Sequence, residues 1–385
     1  MKKTALLLVV CALIGCGQAD RNLTLRGHIE GLQEGDTLFL STFILPTWDE
    51  SIVDTIYADK PGEFIFKKQL EHTTFFLLAH APKDAPRIES CIRGASFLAK
   101  PGDIIDLQGS VYTIGALNKT GGFYNDSLIA RLDSLENISD KEMISIFSKG
   151  MEAQKSGQQD SILKYQQAYN VYERPKELKE LRKYIIENVN DNEYIAFMYL
   201  TRLHDLRVPQ LEKRFAEFTP KAKESYMGQH LYSMLKVLKN IEPGNTPSEF
   251  SVKDMNGNIV RLSDYRGKYL LIYNWGLCPG TMWVQPRILK LYEEFHNKGF
   301  EVLGFTMNDF FSINAELKTN PKIEPLFNQP WTTVMTDLPG NEFIVEDYYL
   351  AGVPILMLIS PEGTTIARGY SEVYNQVKKT LEENL

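Results

Sequence analysis

The chain has 385 residues, more than one hydrophobic core usually serves, so two or three domains are expected. With 43% hydrophobic and 24% charged residues, its composition is that of an ordinary globular protein. Its formal charge of −7, with no basic run interleaved with aromatics, argues against a nucleic-acid binder.

The first element in chain order is a leader. Lys2 and Lys3 precede an apolar run from Ala5 to Ile14 that ends in Leu13-Ile14-Gly15-Cys16. A basic start, a short apolar stretch and a small-residue cleavage site describe a secretory signal. The run is too short to span a bilayer as a helix. Its last four residues resemble the lipobox of bacterial lipoproteins. The resemblance implies that residues 1–15 are removed and that Cys16 becomes the diacylated mature N-terminus. An ordinary cleaved signal with an incidental cysteine is the alternative. Several acyl chains on one residue make anchoring stable, since each buried methylene contributes about 0.8 kcal/mol. Gly17 stands where an aspartate would favour inner-membrane retention. The expected location is therefore the periplasm-facing side of the outer membrane in a Gram-negative envelope. Cys11 leaves with the signal, so Cys91 and Cys278 remain as thiols, too few for a disulfide scaffold.

Residues 22–115 read as strands. Leu23 to Ile29 alternates, as does Thr37 to Ser41 after the turn signal Glu34-Gly35-Asp36. Phe64-Ile65-Phe66 follows Pro61-Gly62, and Ile104 to Leu107 follows Pro101-Gly102-Asp103. Short apolar runs between turn residues predict an antiparallel β-sandwich. The stretch Phe97 to Ile104 resembles the small β-domain of unknown function that precedes thioredoxin domains in envelope lipoproteins. Residues 125–240 then turn helical. Apolar residues recur at three- and four-residue spacing around Leu178-Leu181 and from Tyr194 to Leu203, and another helix starts at Tyr226. Pro209 and Pro220 punctuate this stretch. Ile241 to Pro247, with two prolines and a glycine, is the linker to a further domain over residues 245–385.

In that domain, Asp254 to Asn258 predicts a hairpin turn, and Tyr269 to Asn274 a buried strand. The strand runs into Trp275-Gly276-Leu277-Cys278-Pro279-Gly280-Thr281. A helix from about Met282 to Asn297 and a second apolar strand, Phe300 to Phe305, complete a β-α-β unit with a cysteine at the strand-to-helix turn. Pro286 lies eight residues past Cys278, Trp331 precedes Asp337, and Tyr349 to Gly363 contains Gly352-Val353-Pro354 before a hairpin. These landmarks together resemble the TlpA/ResA-type thioredoxin family over the whole of residues 245–385. The resemblance implies a thioredoxin fold, a cis bond at Val353-Pro354 beside the active cysteine, and a multidomain α+β chain overall.

The resemblance fails at its centre. The family has two cysteines, C-x-x-C, and here the second position is Thr281. Its tryptophan stands four residues before the first cysteine, whereas Trp275 stands three before. The acidic residue of the incoming strand is missing, with Tyr273 and Asn274 in its neighbourhood. Cys278 at a helix N-terminus still faces unpaired N–H groups and the positive end of the helix dipole, which favour a thiolate. The Thr281 hydroxyl, three residues on, is placed to donate to it. Threonine cannot resolve a mixed disulfide, so C-x-x-T makes the attack only and an outside thiol must finish.

Two functions fit these residues. One is a thiol-disulfide oxidoreductase with a single active-site cysteine, in which Cys278 and Thr281 are catalytic. Trp275, Pro279, Gly280, Val353 and Pro354 would then contact protein disulfide or thiol partners of the envelope. The other is a non-catalytic protein that binds an extended peptide beside Val353-Pro354. No cofactor is expected, and the six histidines show no metal-ligand spacing. A peroxidatic cysteine would want Thr or Ser three residues earlier, where Trp275 stands. Nothing brings Cys91 near Cys278, Gly121-Gly122 reads as a turn, and Tyr348-Tyr349 as packing.

Overall fold

The computed structural model describes residues 21–45, 49–58, 60–81, 94–203, 207–307, 326 and 328–385. The signal with Cys16, and Cys91, lie outside the described residues. The chain divides into two compact units, residues 1–40 with 53–175 and residues 41–52 with 176–385. The helical stretch is shared between them.

The N-terminal part of the chain carries β1 (Asn22–Glu30), β2 (Thr37–Ile44), β3 (Asp49–Tyr57), β4 (Glu63–Gln69), β5 (Thr74–Ala81), β6 (Ala95–Ala99), β7 (Ile104–Ser110) and β8 (Asn118–Thr120). They form two four-stranded sheets, ordered β4-β1-β7-β8 and β3-β2-β5-β6. β1 buries Leu23, Leu25, Gly27 and Ile29 in strict alternation, as its sequence predicts. The expected antiparallel pattern holds only in part, because β1 pairs with β7 in parallel, Thr24 opposite Ile104. Parallel neighbours need a long crossover, and the five strands between β1 and β7 supply one. Two helices follow, α1 (Ser127–Lys155) and α2 (Gln159–Asn170). Asp126 caps α1 by accepting from the Leu128 and Ile129 N–H groups.

The second unit opens with α3 (Lys176–Asn188), α4 (Glu193–Leu200), α5 (Val208–Ala216), α6 (Pro220–Glu224) and α7 (Tyr226–Ile241). Pro209 and Pro220 sit in the first turns of α5 and α6, where a missing N–H costs nothing. α4 is buried on every side from Tyr194 to Leu200, so it is a core helix and not an amphipathic one. After α7 the chain turns at Gly244 (φ +95°), and the 244–245 backbone pairs with Thr365 at the sheet edge.

β9 (Ser251–Lys253) and β10 (Ile259–Arg261) form the expected hairpin. Its turn is held by Asp254, whose carboxylate accepts from the Asn256 and Asn258 N–H groups at 2.8 Å each. β11 (Tyr269–Asn274), β12 (Phe300–Thr306), β13 (Thr332–Met335), β14 (Ile355–Ile359) and β15 (Thr365–Gly369) build a five-stranded sheet ordered β13-β12-β11-β14-β15. β11, β12 and β13 are parallel, β14 runs antiparallel beside β11, and β15 runs antiparallel to β14. β11 and β14 are buried on both faces, which explains their unbroken apolar runs. α8 (Pro279–Phe295) and α10 (Tyr374–Asn384) pack on the sheet through Val284, Ile288, Leu291, Val377 and Leu381, and the short α9 (Phe343–Asp347) precedes β14. Among the described residues, no helix is long and apolar enough to cross a membrane.

Candidate functional site

The site is the junction of β11 and α8. The Trp275 N–H donates to the Phe305 carbonyl at 2.9 Å and prolongs the strand pairing by one residue. Cys278 is the N-cap of α8, with extended backbone (φ −143°, ψ 161°), and Pro279 occupies the first helical position. The helix therefore starts at Pro279, three residues earlier than its periodicity predicts, because the cysteine sulfur does the capping. Cys278 Sγ accepts from the Thr281 N–H at 3.3 Å. It also lies 3.5 Å from Thr281 Oγ1 and 3.4 Å from the Val353 carbonyl oxygen. Cys278 is a free, half-buried thiol.

Facing it is Val353-Pro354, whose peptide bond is cis as the family resemblance implies. Gly280 is required by this approach. A Cβ there would stand 2.8 Å from Pro354 Cδ and 3.6 Å from Cys278 Sγ.

Behind the thiol is a buried polar chain. Thr281 is fully buried, Tyr273 is buried beneath it, and the Tyr273 hydroxyl donates to Gln285 Oε1 at 3.1 Å. Burial raises the Tyr273 phenol well above its ordinary range; a hydrogen bond with Thr281 opposes this, and charge on Cys278 adds to it. The phenol therefore stays a neutral O–H.

The loop bearing Pro354 is fixed from two sides. Asn274 Nδ2 donates to the carbonyls of Leu350 (3.0 Å) and Gly352 (2.9 Å). The Arg368 guanidinium donates to the Tyr349 carbonyl at 2.6 Å, and burial lowers its pKa to about 10. Tyr349 (φ +44°) and Gly352 (φ +96°) both adopt left-handed backbone here.

Of the residues singled out from the sequence, Cys278, Pro279, Gly280, Thr281, Val353 and Pro354 come together at one point. Trp275 is 1% exposed and belongs to the sheet core, so it walls the site from behind. Tyr348 and Tyr349 are buried packing residues. Trp331 packs edge-on against Tyr273. Tyr273, Asn274 and Gln285 were not singled out as site residues. Gln285 carried a signal, since it lies one helical turn after Thr281 on a face that is otherwise apolar.

Residues 243–366 match the AhpC/TSA family. The C-terminal part of the chain is an AhpC/TSA thioredoxin-like domain. It is similar over 63 residues (48% identity) to a Mesembryanthemum crystallinum protein named "Probable phospholipid hydroperoxide glutathione peroxidase", with 16% of this chain and 37% of that protein covered. Over 67 residues it is 37% identical to a glutathione peroxidase of Lactococcus lactis, covering 17% of this chain and 43% of that one. The chain thus spans well under half the length of these relatives. Among solved structures it is similar to the thioredoxin domain of a Bacteroides vulgatus thiol-disulfide oxidoreductase (27% identity, 36% of this chain and 98% of that one, TM-score 0.31). A Bacteroides fragilis thiol-disulfide oxidoreductase is similar at 23% identity, with 37% and 100% covered and a TM-score of 0.30.

Proposed function

We propose that this chain is an envelope thiol-disulfide oxidoreductase that works with one cysteine. The supporting observation is a half-exposed thiol at a helix N-cap, held by the Thr281 N–H and facing a cis-proline. The Cys278 thiolate attacks one sulfur of a client disulfide. A mixed disulfide forms, and the other client sulfur leaves as a thiolate. Thr281 offers no second thiol, so a small thiol from the surroundings must attack the mixed disulfide and regenerate Cys278. Met282 and Trp283, each 44% exposed at the start of α8, give a client polypeptide apolar surface beside the thiol. The lipobox at Cys16 would hold this activity at the membrane facing the periplasm.

The test is to incubate the full chain with a disulfide-bonded protein and resolve adducts without reductant. A mixed disulfide mapped to Cys278, stable until a small thiol is added and absent from Cys278→Ser, is expected. Absence of any such adduct overturns the reading in favour of a non-catalytic peptide-binding domain.

The relatives named as glutathione peroxidases favour a second reading on the same sulfur. There the thiolate attacks a hydroperoxide oxygen, the O–O bond breaks, and Cys278 becomes a sulfenic acid as an alcohol is released. Two equivalents of a small thiol then return it to the thiol with loss of water. Thiol-dependent consumption of a hydroperoxide that outpaces disulfide exchange would select this reading.

A further inference from the structure

A cavity of about 440 Å³ lies within the second unit, in the roughly 300–1,000 Å³ range typical of ligand pockets. Its described lining includes Arg207 and Val208 at the start of α5, Leu238 and Ile241 on α7, and Ile355 and Arg368 on the sheet. Neither Cys278 nor its contacts Thr281 and Val353 belong to that lining.

Arg368 stands in the cavity wall with a charge and no counter-charge. Its Nη2 is engaged by the loop, donating to the Tyr349 carbonyl at 2.6 Å with the Tyr348 carbonyl at 3.4 Å. Its Nε is buried and has no hydrogen-bond partner. Nη1 makes no hydrogen bond among the described residues, and it is not closed off as Nε is. No carboxylate of the described residues forms an ion pair with this guanidinium. The Tyr349 ring face, 5.4 Å away, compensates the charge only in part. A charge taken out of water is costly unless it is paired.

A second cation shares the wall. Arg207 is exposed, and its side chain has no hydrogen bond or ion pair among the described residues. It is the N-cap residue of α5 and makes no side-chain cap, so the positive end of that helix adds to the field. Two acids line the cavity as well. Glu372 turns one oxygen back to accept from the Tyr370 N–H at 2.9 Å, and Glu242 is paired with neither arginine. Their charges oppose a dianion and leave a place for a monoanion.

We infer that this cavity binds a small organic carboxylate, with Arg368 Nη1 and Arg207 meeting its charged end and Leu238, Ile241 and Ile355 its hydrocarbon body. The carboxylate supplies the counter-charge that Arg368 lacks. A phosphate ester, doubly charged at neutral pH, fits worse beside Glu242 and Glu372. The site is independent of the exchange reading, and a failure of disulfide exchange at Cys278 leaves it untouched.

The test titrates the full chain at low salt with hexanoate, hexanamide, hexylamine and inorganic phosphate, followed by the methyl NMR signals of Ile241 and Ile355. Hexanoate should bind about tenfold tighter than hexanamide, the ratio that one hydrogen bond between charged groups supports. Hexylamine and phosphate should both bind more weakly than hexanoate, and the carboxylate preference should shrink as salt is added. Arg368→Gln should abolish that preference. Because Arg368 also holds the Tyr349 carbonyl, the exposed Arg207→Gln is the second variant. It should fold as wild type and weaken hexanoate about twofold to threefold, with hexanamide unchanged. Equal affinities for hexanoate and hexanamide, tighter binding of hexylamine, or no hexanoate binding at millimolar concentration would overturn the inference. So would binding that moves neither methyl signal, a preference that survives in folded R368Q, or a hexanoate affinity unchanged in R207Q.

Discussion

Thr281 offers the sharpest perturbation, because its two functions can be removed separately. Its hydroxyl oxygen lies 3.5 Å from Cys278 Sγ, and its methyl is fully buried under the cysteine. Thr281→Val keeps the volume and removes the hydroxyl. A hydrogen bond to a charged group contributes about 1.5–3 kcal/mol. The lower figure applies here, since the thiol is half-exposed and the Thr281 N–H, at 3.3 Å, remains in the variant. At about 1.4 kcal/mol per decade, thiolate attack should slow roughly tenfold. Thr281→Ser keeps the hydroxyl and loses one buried methyl, which costs roughly 1 kcal/mol of stability with the rate nearly unchanged. The assay is the second-order rate of reaction with a neutral aromatic disulfide, followed by absorbance of the released thione, with Cys278→Ser as blank. Urea unfolding of each variant supplies the stability arm. If Thr281→Val reacts within about twofold of wild type, or Thr281→Ser is as slow as Thr281→Val, the hydroxyl does not support the thiolate.

Gly280→Ala forces a Cβ to 2.8 Å from Pro354 Cδ, so it should cost about 1–3 kcal/mol in urea unfolding and slow disulfide attack; wild-type stability would mean that the loop yields freely. In the first unit, Lys119 Nζ and Asp133 Oδ1 form a buried pair at 2.6 Å, and Lys119→Met should cost about 3–5 kcal/mol at neutral pH, much of it recovered in K119M/D133L. Burial raises the Asp133 pKa while Lys119 opposes it, so the fold favours the protonated acid. Stability from that preference is present at low pH and lost as pH rises through the folded value, so the Lys119→Met deficit should shrink on acidification; a pH-independent deficit would assign the loss to packing. Finally, Cys16→Ser should leave unprocessed or mislocalised precursor on fractionation, and a normally matured, fully soluble wild type would remove the lipid anchor.

The C-terminal domain was legible in the sequence because its signals are local. A buried strand, a cysteine at its end and the 254–258 turn each depend on residues a few positions apart, and the structure places them as read, while the helix after the cysteine begins three residues earlier, at Pro279. Gly280 and Pro354 were legible as motif members. That one excludes a side chain on the other became visible only when residues 74 positions apart were brought to 2.8 Å. The parallel pairing of β1 with β7 was hidden for a related reason, since alternation tells which face a residue takes and not which strand lies beside it.

The polar groups of the site were hidden by their surroundings. Tyr273 and Asn274 close an apolar run and read as ordinary strand residues, and Gln285 sits in a helix whose other buried positions, Thr281 apart, are apolar. The sequence by itself determined which groups stand at the start of that helix, a cysteine with threonine three residues on, because atoms that are not encoded cannot be supplied by folding. Only the tertiary structure decided what surrounds that thiol: the Tyr273–Gln285 pair beneath it and the Asn274 bridge to a loop 76 residues away. Hydrogen bonds and cavities depend on where chain segments meet, and that is set by packing of the whole sheet.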